Sequence, residues 1–331
     1  MEDVARLAGV SSITVSRVLN HPDKVAESTR ERVMAAVEAT GYIPNSVAGS
    51  LASRRTRVIG ALVPTITNSI FADTIDGLTD VLTPAGYQLL LGATGYSLRE
   101  ESRLVGAILA QRPAGLLATG LQHESQGLTL LRTTDIPIVE TWNVDGDPVD
   151  MAVGFSNFEA CRAMVATLAR RGARRIGFVS APTTANDRAE QRLRGYRHAV
   201  RELGLDTDAR LEREAKFSFH AGAERLVEMI AERPDVEAIF FANDILAIGA
   251  LFECQRRGIR VPEDLAIAGF DDVELAAQVN PGLTTVRIPR YRIGREAARM
   301  ILRRLEGERV EPRVLDLGFE IVERQSTPAG T

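Results

Sequence analysis

Ser12, Ile13, Ser16, Arg17 and Asn20 lie within one nine-residue segment and share one side of it when it is wound as a helix. Short polar groups and a single guanidinium are what a helix in the DNA major groove offers to base edges and phosphates. Such contacts need a rigid helix behind them. Val15, Val18 and Leu19 supply it an apolar face at i, i+3, i+4. Ser11 can cap its start by accepting a free backbone N–H. Val4, Leu7 and Ala8 repeat the spacing in a first helix, and Gly9 follows where the chain must turn left-handed. The pattern predicts a helix-turn-helix. Two amphipathic helices around a glycine also occur as plain packing units, and the pattern alone leaves that alternative open.

A third helix is expected after the pair. Ser28 and Glu31 have capping-box spacing, Val33, Ala36, Val37 and Thr40 continue an inner face, Gly41 ends the helix and Pro44 bars its continuation. The expected core is Val4, Leu7, Val15, Val18, Leu19, Val33 and Val37. Residues 45–57, NSVAGSLASRRTR, are small apart from Leu51, with Gly49 inside. A helix this short does not persist alone in water. The segment is therefore either a flexible linker or a hinge that becomes helical on DNA, with Leu51 wedged between base pairs of the minor groove.

The 331-residue chain is 45% hydrophobic and 25% charged, ordinary for a globular protein and long enough for two or three domains. No apolar run reaches membrane-spanning length and no signal peptide precedes the first helix, so a cytoplasmic protein is expected. Cys161 and Cys254 have no metal spacing and are expected to be reduced core residues. The net charge of −4 is unevenly spread. Residues 1–57 hold eight Lys and Arg against six Asp and Glu; the remainder holds 32 against 38. The positive end is the one expected to meet DNA, and its modest excess points to two copies acting together.

From Val58 the chain alternates short apolar runs (VIGALVP, YQLLLG, GLLATG, IPIVE, MAVGF, RIGFVS, AIFFA, LAIAGF) with amphipathic segments at 69–85, 98–112, 157–171, 189–204, 220–232 and 244–258. Repeated β–α–β of this kind predicts an α/β fold of parallel sheets covered by helices on both faces. Some 270 residues exceed one comfortable core, so two lobes are expected, with a ligand cleft beyond the carboxyl ends of the strands.

With these strings laid out, the chain resembles the LacI/GalR family of bacterial transcription repressors. DVARLAGVSSITVSRVLN resembles its helix-turn-helix signature, GYIPNSVAGSLASRRTRVIGALVP its hinge and first core strand, and FANDILAIGA and VPEDLAIAGFDD its core motifs. VGFSNFEACRAM, FECQRRGIRVPEDLAIAGF and LDLGF resemble the gluconate-utilisation repressor branch. The resemblance implies a helix-turn-helix domain at 1–44, a hinge at 45–57 and a two-lobed periplasmic-binding-protein-like core at 58–331. One lobe would hold about 58–156 and 288–318, the other about 157–287 and 319–326. It implies a homodimer on double-stranded operator DNA with a small sugar-acid effector; the tail VERQSTPAGT has no heptads of the kind that tetramers use.

By the same resemblance Ser12, Ile13 and Arg17 read bases. Arg17 would pair with guanine and Ile13 would touch a methyl group. Thr14, Ser16 and Asn20 would hold phosphates with Lys24 beside them, and Leu51 with Ala52 would enter the minor groove; Gly49 stands where the family often has arginine. A sugar acid needs a guanidinium, carboxylate or amide acceptors and an apolar wall. The resemblance assigns these to Arg192, Asp271, Asn243, and Phe71 or Phe217. Thr65, Glu140 and Trp142, at the carboxyl ends of predicted strands, are expected to line the same cleft.

Two other classes fit the sequence less well. An enzyme of this fold class would be expected to carry a G-x-G-x-x-G after a strand, a P-loop or a G-x-S-x-G elbow, and none occurs. Only two lysines, Lys24 and Lys216, are present, and His21, His123, His198 and His220 lack metal spacing. No cofactor or metal is expected. A free sugar-binding receptor would have no use for residues 1–57.

Overall fold

The computed structural model describes residues 1–20, 22–42 and 56–329. It divides into two units, Met1–Thr56 and Arg57–Thr331.

In the first unit α1 (Glu2–Ala8) and α2 (Ser12–Asn20) flank a tight turn, and α3 (Glu27–Thr40) follows a single 3-10 turn at Pro22–Lys24. Gly9 makes the turn at φ 64°, and the Val10 N–H bonds back to the Ala5 carbonyl at 3.0 Å. Ser11 Oγ accepts the Thr14 N–H at 3.2 Å, which fixes the start of α2. Gly41 closes α3 at φ 61°. The core is Val4, Ala5, Ala8, Val15, Val18, Val33 and Ala36.

Two expectations fail here. Leu7 is 60% exposed, and Ala5 takes its place in the core. A small residue there lets α1 lie close to α3, and a leucine would hold them apart. The capping box does not form: α3 begins at Glu27 with Ala26 as N-cap and no side-chain cap. Ser28 is thus already inside the helix, and the first free N–H groups of Thr29 and Arg30 bond to the Ala26 carbonyl.

The second unit contains two six-stranded sheets. The first runs β11-β5-β4-β3-β1-β2 and is parallel throughout, with β1 (Val58–Val63), β2 (Gln88–Ala93), β3 (Gly115–Thr119), β4 (Ile138–Thr141), β5 (Met151–Gly154) and β11 (Val314–Asp316). The second runs β12-β10-β9-β8-β6-β7, with β6 (Ile176–Ser180), β7 (Glu212–Glu214), β8 (Ala238–Phe241), β9 (Ala266–Asp271), β10 (Thr284–Arg287) and β12 (Glu320–Val322). Only its edge pair β10/β12 is antiparallel. The chain passes between the sheets after β5, after β10 and after β11. Central strands such as β3, β6 and β8 are buried along their whole length, as parallel strands covered on both faces must be.

Helices α4 (Ile70–Leu82), α5 (Leu98–Ala110), α6 (Ser125–Thr133) and α12 (Arg290–Leu305) accompany the first sheet; α7 (Asn157–Arg170), α8 (Asp187–Glu202), α9 (Phe219–Glu232), α10 (Asp244–Arg257) and the short α11 (Glu274–Gln278) accompany the second. This is the two-lobed architecture expected for the core. Cys161 and Cys254 are free and buried. Among the described residues no helix is long and apolar enough to cross a membrane.

Helices α4 and α12 touch backbone to backbone. A Cβ on Gly77 would stand 2.1 Å from the Tyr291 carbonyl oxygen, and one on Gly294 would stand 2.0 Å from that of Thr74. Thr74 Oγ1 donates to the Arg290 carbonyl at 3.0 Å across the same contact. Neither overlap can be relieved by a side-chain rotation. Gly294→Ala is therefore expected to lower stability by about 1–3 kcal/mol, despite the better helix propensity of alanine. The midpoint of urea unfolding measures this.

Candidate functional site

The first surface is the outer side of α2. Ile13 is 71% exposed, Arg17 is exposed, and Ser12, Thr14 and Ser16 are half-buried. Arg17 has no carboxylate partner among the described residues, so its guanidinium is available to another molecule. Thr14 shares its hydroxyl with Ser11 at 3.0 Å, which ties it to the start of the helix. Lys24 is exposed in the 3-10 turn. Leu51 and Ala52 lie outside the described residues, and so does the side chain of Asn20.

The second is a cleft between the two sheets of the core. An outer chamber of 520 Å³ lies between Thr65, Asn68 and Tyr96 on one side and Pro182, Thr184, Lys216 and Phe217 on the other. Beneath it an inner cavity of 20 Å³ is lined by Phe71, Trp142, Ser180, Arg192, Phe217 and Asn243 among others. Of the expected effector residues, Phe71, Trp142, Arg192, Phe217 and Asn243 meet at the inner cavity, and Thr65 and Phe217 line the outer chamber; Asp271 lines neither and reaches the inner cavity only through its bond with Asn243.

Arg192 is 8% exposed. Its Nε donates to Asn157 Oδ1 at 2.9 Å, its Nη1 to the Ala242 carbonyl at 2.7 Å, and its guanidinium lies over Phe270 at 3.6 Å. Burial lowers its pKa and the Asp271 carboxylate raises it again. Asp271 is wholly buried, and burial pushes its carboxyl up to about 6 against the pull of Arg192, Arg290 and Asn243. Asn243 explains the local sequence. Its Oδ1 accepts the Ile245 N–H to cap α10, which turns its Nδ2 toward Asp271 Oδ2 at 2.5 Å. Asp244 beside it serves the frame, accepting from Thr285 Oγ1 at 2.6 Å and the Val273 N–H at 2.8 Å.

Trp142 packs on Phe71 with ring centroids 4.7 Å apart. Its Nε1, Ser180 Oγ and Asp271 Oδ1 are buried without a hydrogen-bond partner. Tyr96, Trp142 and Asp271 also hold positive φ of 60°, 70° and 113°. Non-glycine residues stay there only where the surroundings force them to, usually at a site.

Glu140 is a correction. Its Oε1 bonds to His123 Nε2 at 2.9 Å, its Oε2 accepts the Val149 N–H, and it lines neither chamber. Alternation along β4 sends Glu140 to the face away from the cleft. His123 Nδ1 meets Glu101 Oε1 at 2.5 Å. Burial alone would lower the His123 pKa, but the two carboxylates outweigh it and hold the imidazolium up to about 9.

Sequence reasoning missed three features of the cleft. Tyr96 reaches across it to Phe217, with ring centroids 5.4 Å apart. Asp187 Oδ2 accepts from the Leu121 N–H at 2.8 Å and Asn143 Nδ2 at 2.7 Å, and Arg188 Nη1 donates to the Thr119 carbonyl at 3.0 Å, so α8 grips the other lobe. Lys216 stands at the rim. The adjacent GY at 95–96, just after a strand, and DR at 187–188, at the start of a helix, were the available signals.

A helix-turn-helix unit joined to a two-lobed, parallel-sheet core around a polar cleft defines a DNA-binding transcriptional regulator with a periplasmic-binding-protein-like core. The chain belongs to the LacI family: the model of bacterial regulatory proteins, lacI family, matches residues 1–45, and that of the periplasmic binding protein-like domain matches residues 165–327. It is 36% identical to the HTH-type transcriptional regulator GntR of Escherichia coli K12, over 97% of this chain and 96% of the relative. A LacI-family transcriptional regulator from Silicibacter pomeroyi matches in structure with a TM-score of 0.91 at 33% identity, covering 98% of each chain. The lac repressor dimer, solved bound to operator and the anti-inducer ONPF, matches with a TM-score of 0.87 at 27% identity, covering 99% of this chain and 98% of that one.

The His123 cluster carries a pH signature. Its folded pKa of about 9 stands above the ordinary 6.5. The stability it contributes is complete below pH ~6.5 and is lost as pH rises through about 9. Urea unfolding at pH 6.5 and at pH 9.5 should show this loss in the parent protein, and His123→Gln should flatten it.

Proposed function

We propose that the chain is a repressor that reads an operator with α2 and releases it when a sugar acid, gluconate or a close six-carbon relative, enters the cleft. The observation that carries the effector half is the pair of partnerless buried atoms at the inner cavity, Trp142 Nε1 and Ser180 Oγ, with Asp271 Oδ1 likewise partnerless behind Asn243. Each such atom costs about 1–3 kcal/mol, and a cluster of them is best explained as a site that a polar ligand completes. Arg192 takes the carboxylate, Asp271 and Asn243 take hydroxyls, Phe71, Trp142 and Phe217 form the apolar wall, and Thr65 lies at the entrance. Helices α4, α8 and α10 begin at the cleft wall, and their N-termini favour a negative charge. The strings shared with the gluconate-utilisation branch support this ligand over a neutral sugar.

On this reading residues 1–44 bind DNA and residues 45–57 form the hinge. Residues 58–156 with 288–318 make the lobe next to the hinge, and 157–287 with 319–326 the other. Ser12, Ile13 and Arg17 read bases, Thr14, Ser16, Asn20 and Lys24 hold phosphates, and Leu51 with Ala52 enters the minor groove. The chain acts in the cytoplasm, catalyses no reaction and works as a homodimer. Support for the dimer comes from exposed apolar side chains: Phe219 and Phe252, 6.5 Å apart, and Leu90 and Leu91 on edge strand β2.

An effector that bridges two lobes favours their closed arrangement and shifts a population already present. Linkage then requires operator DNA to weaken effector binding by the factor with which effector weakens operator binding. Calorimetry of gluconate with and without operator tests this. Weaker binding in the presence of operator is expected; tighter binding would make the ligand a corepressor, and heat from a neutral sugar alone would overturn the effector class. On the DNA side, Arg17→Ala should cost about 1–3 kcal/mol at the operator and leave random-sequence binding nearly unchanged. Equal losses in gel shifts on both DNAs would remove Arg17 from the base edge.

A further inference from the structure

The inner cavity, at 20 Å³, admits about one water. Nothing larger reaches the partnerless Trp142 Nε1 or Ser180 Oγ beside it unless part of its wall moves. Four residues line both this cavity and the 520 Å³ outer chamber: Tyr96, Ala181, Asn186 and Phe217. Ala181 has no side chain to rotate. Asn186 is tied to the start of α8, where its Oδ1 accepts the Ala189 N–H at 3.3 Å. The rings of Tyr96 and Phe217, one from each lobe and 5.4 Å apart, are left as the part that can give way.

The two rings are not held alike. Phe217 packs on the apolar core of the second lobe, together with Leu226, Phe241 and Leu246. Tyr96 belongs to none of the apolar clusters among the described residues. Its hydroxyl is also untethered. Tyr196, deep in the core, donates its hydroxyl to the Ile176 carbonyl at 2.8 Å. The Tyr96 hydroxyl has no hydrogen-bond partner among the described residues, although burial pushes its pKa up to about 12 against the pull of Arg188. The backbone beneath is fixed on both sides. The Thr94 N–H bonds to the Val63 carbonyl at 2.9 Å, the Gly95 N–H to the Pro64 carbonyl at 2.8 Å, and Ser97 Oγ caps α5 by accepting the Glu100 N–H at 3.2 Å. Any movement is therefore confined to the side chain. Tyr96 also borders a third space of 10 Å³ beside Glu101, Asp187 and Arg188, so the outer chamber is the one neighbour with room for its ring.

We infer that the Tyr96 ring is a gate: closed on Phe217 it shuts the inner cavity, and turned into the outer chamber it joins the two spaces into one effector site. The inference rests on the cleft being the effector site and holds for any class of small effector. The effector enters the outer chamber first, and the inner polar atoms become available only once the ring has turned.

Trp142 is the only tryptophan in the chain and lines the inner cavity, so its fluorescence reports access there without an effector. Acrylamide should quench it weakly in the full-length parent protein. Tyr96→Asn removes the ring at a left-handed position that asparagine tolerates, and quenching should rise several-fold. Tyr96→Phe keeps the ring and should stay near the parent value. Equal quenching in the parent and Tyr96→Asn would overturn the gate, and so would a Trp142 as accessible in the parent as free indole. Stopped-flow mixing with gluconate tests the movement itself. In the parent the observed rate should level off as gluconate rises, because ring opening becomes limiting; in Tyr96→Asn it should climb in proportion. A proportional climb in both would make Tyr96 a fixed wall and overturn the gate. No gluconate signal in either protein, with Trp142 quenched only in Tyr96→Asn, would sink the sugar-acid reading and leave the gate standing.

Discussion

A guanidinium buried in a protein must have every face accounted for, and Arg192 organises the core through that demand. Asn157 on α7, the Ala242 carbonyl beyond β8 and the Phe270 ring on β9 each take one side of it, and Asp271 supplies the opposite charge. The partners are themselves held. Asn157 donates to the Trp142 carbonyl at 2.8 Å, and Asn243 donates to Asp271. Arg290 reaches from α12 to the Asp271 carbonyl while pairing with Asp73 at 2.7 Å. One charge therefore fixes the positions of groups on both lobes. Removing Asp271 would leave the buried guanidinium without its counter-charge, which is far more costly than replacing the whole set.

The lobes are joined by discrete polar bonds in addition to packing. Asp187 and Arg188 hold the segment that follows β3, and two residues later His123 holds the same segment from behind, between Glu101 and Glu140. The loop that meets the opposite lobe is thus pinned by an ion cluster whose Glu101 borders a small cavity between the lobes, beside Tyr96, Asp187 and Arg188.

Much of this was legible in the sequence. Glycine at a helix end, serine at a start and the i, i+3, i+4 spacing placed α1 and α2, and eight apolar runs placed eight strands. Leu7 misled because an apolar residue at the right spacing carries no information about how close a neighbouring helix comes. Strands β7, β11 and β12 are three residues each, too short to show a pattern. Helix α12 was hidden by its arginines, although Ile293, Ala297, Ala298 and Ile301 are buried at helical spacing. In the cleft, Arg192 and Asn243 were reachable because they sit in strings that a family shares, and Trp142 because it follows the carboxyl end of a strand. Glu140 shows the limit: a carboxylate at a strand end points to one face or the other by a single residue of register. Tyr96 and Asn68 stand in loops, where side-chain direction follows from backbone angles that residue types do not report.

Tyr96, Trp142 and Asp271 share a backbone conformation that glycine would adopt freely and that costs other residues about 1–3 kcal/mol each. At these three positions the residue that best suits the fold is not the residue that best suits the cleft. Glycine at Tyr96 or Trp142 would relieve the backbone and at the same stroke remove a ring from the wall of the inner cavity.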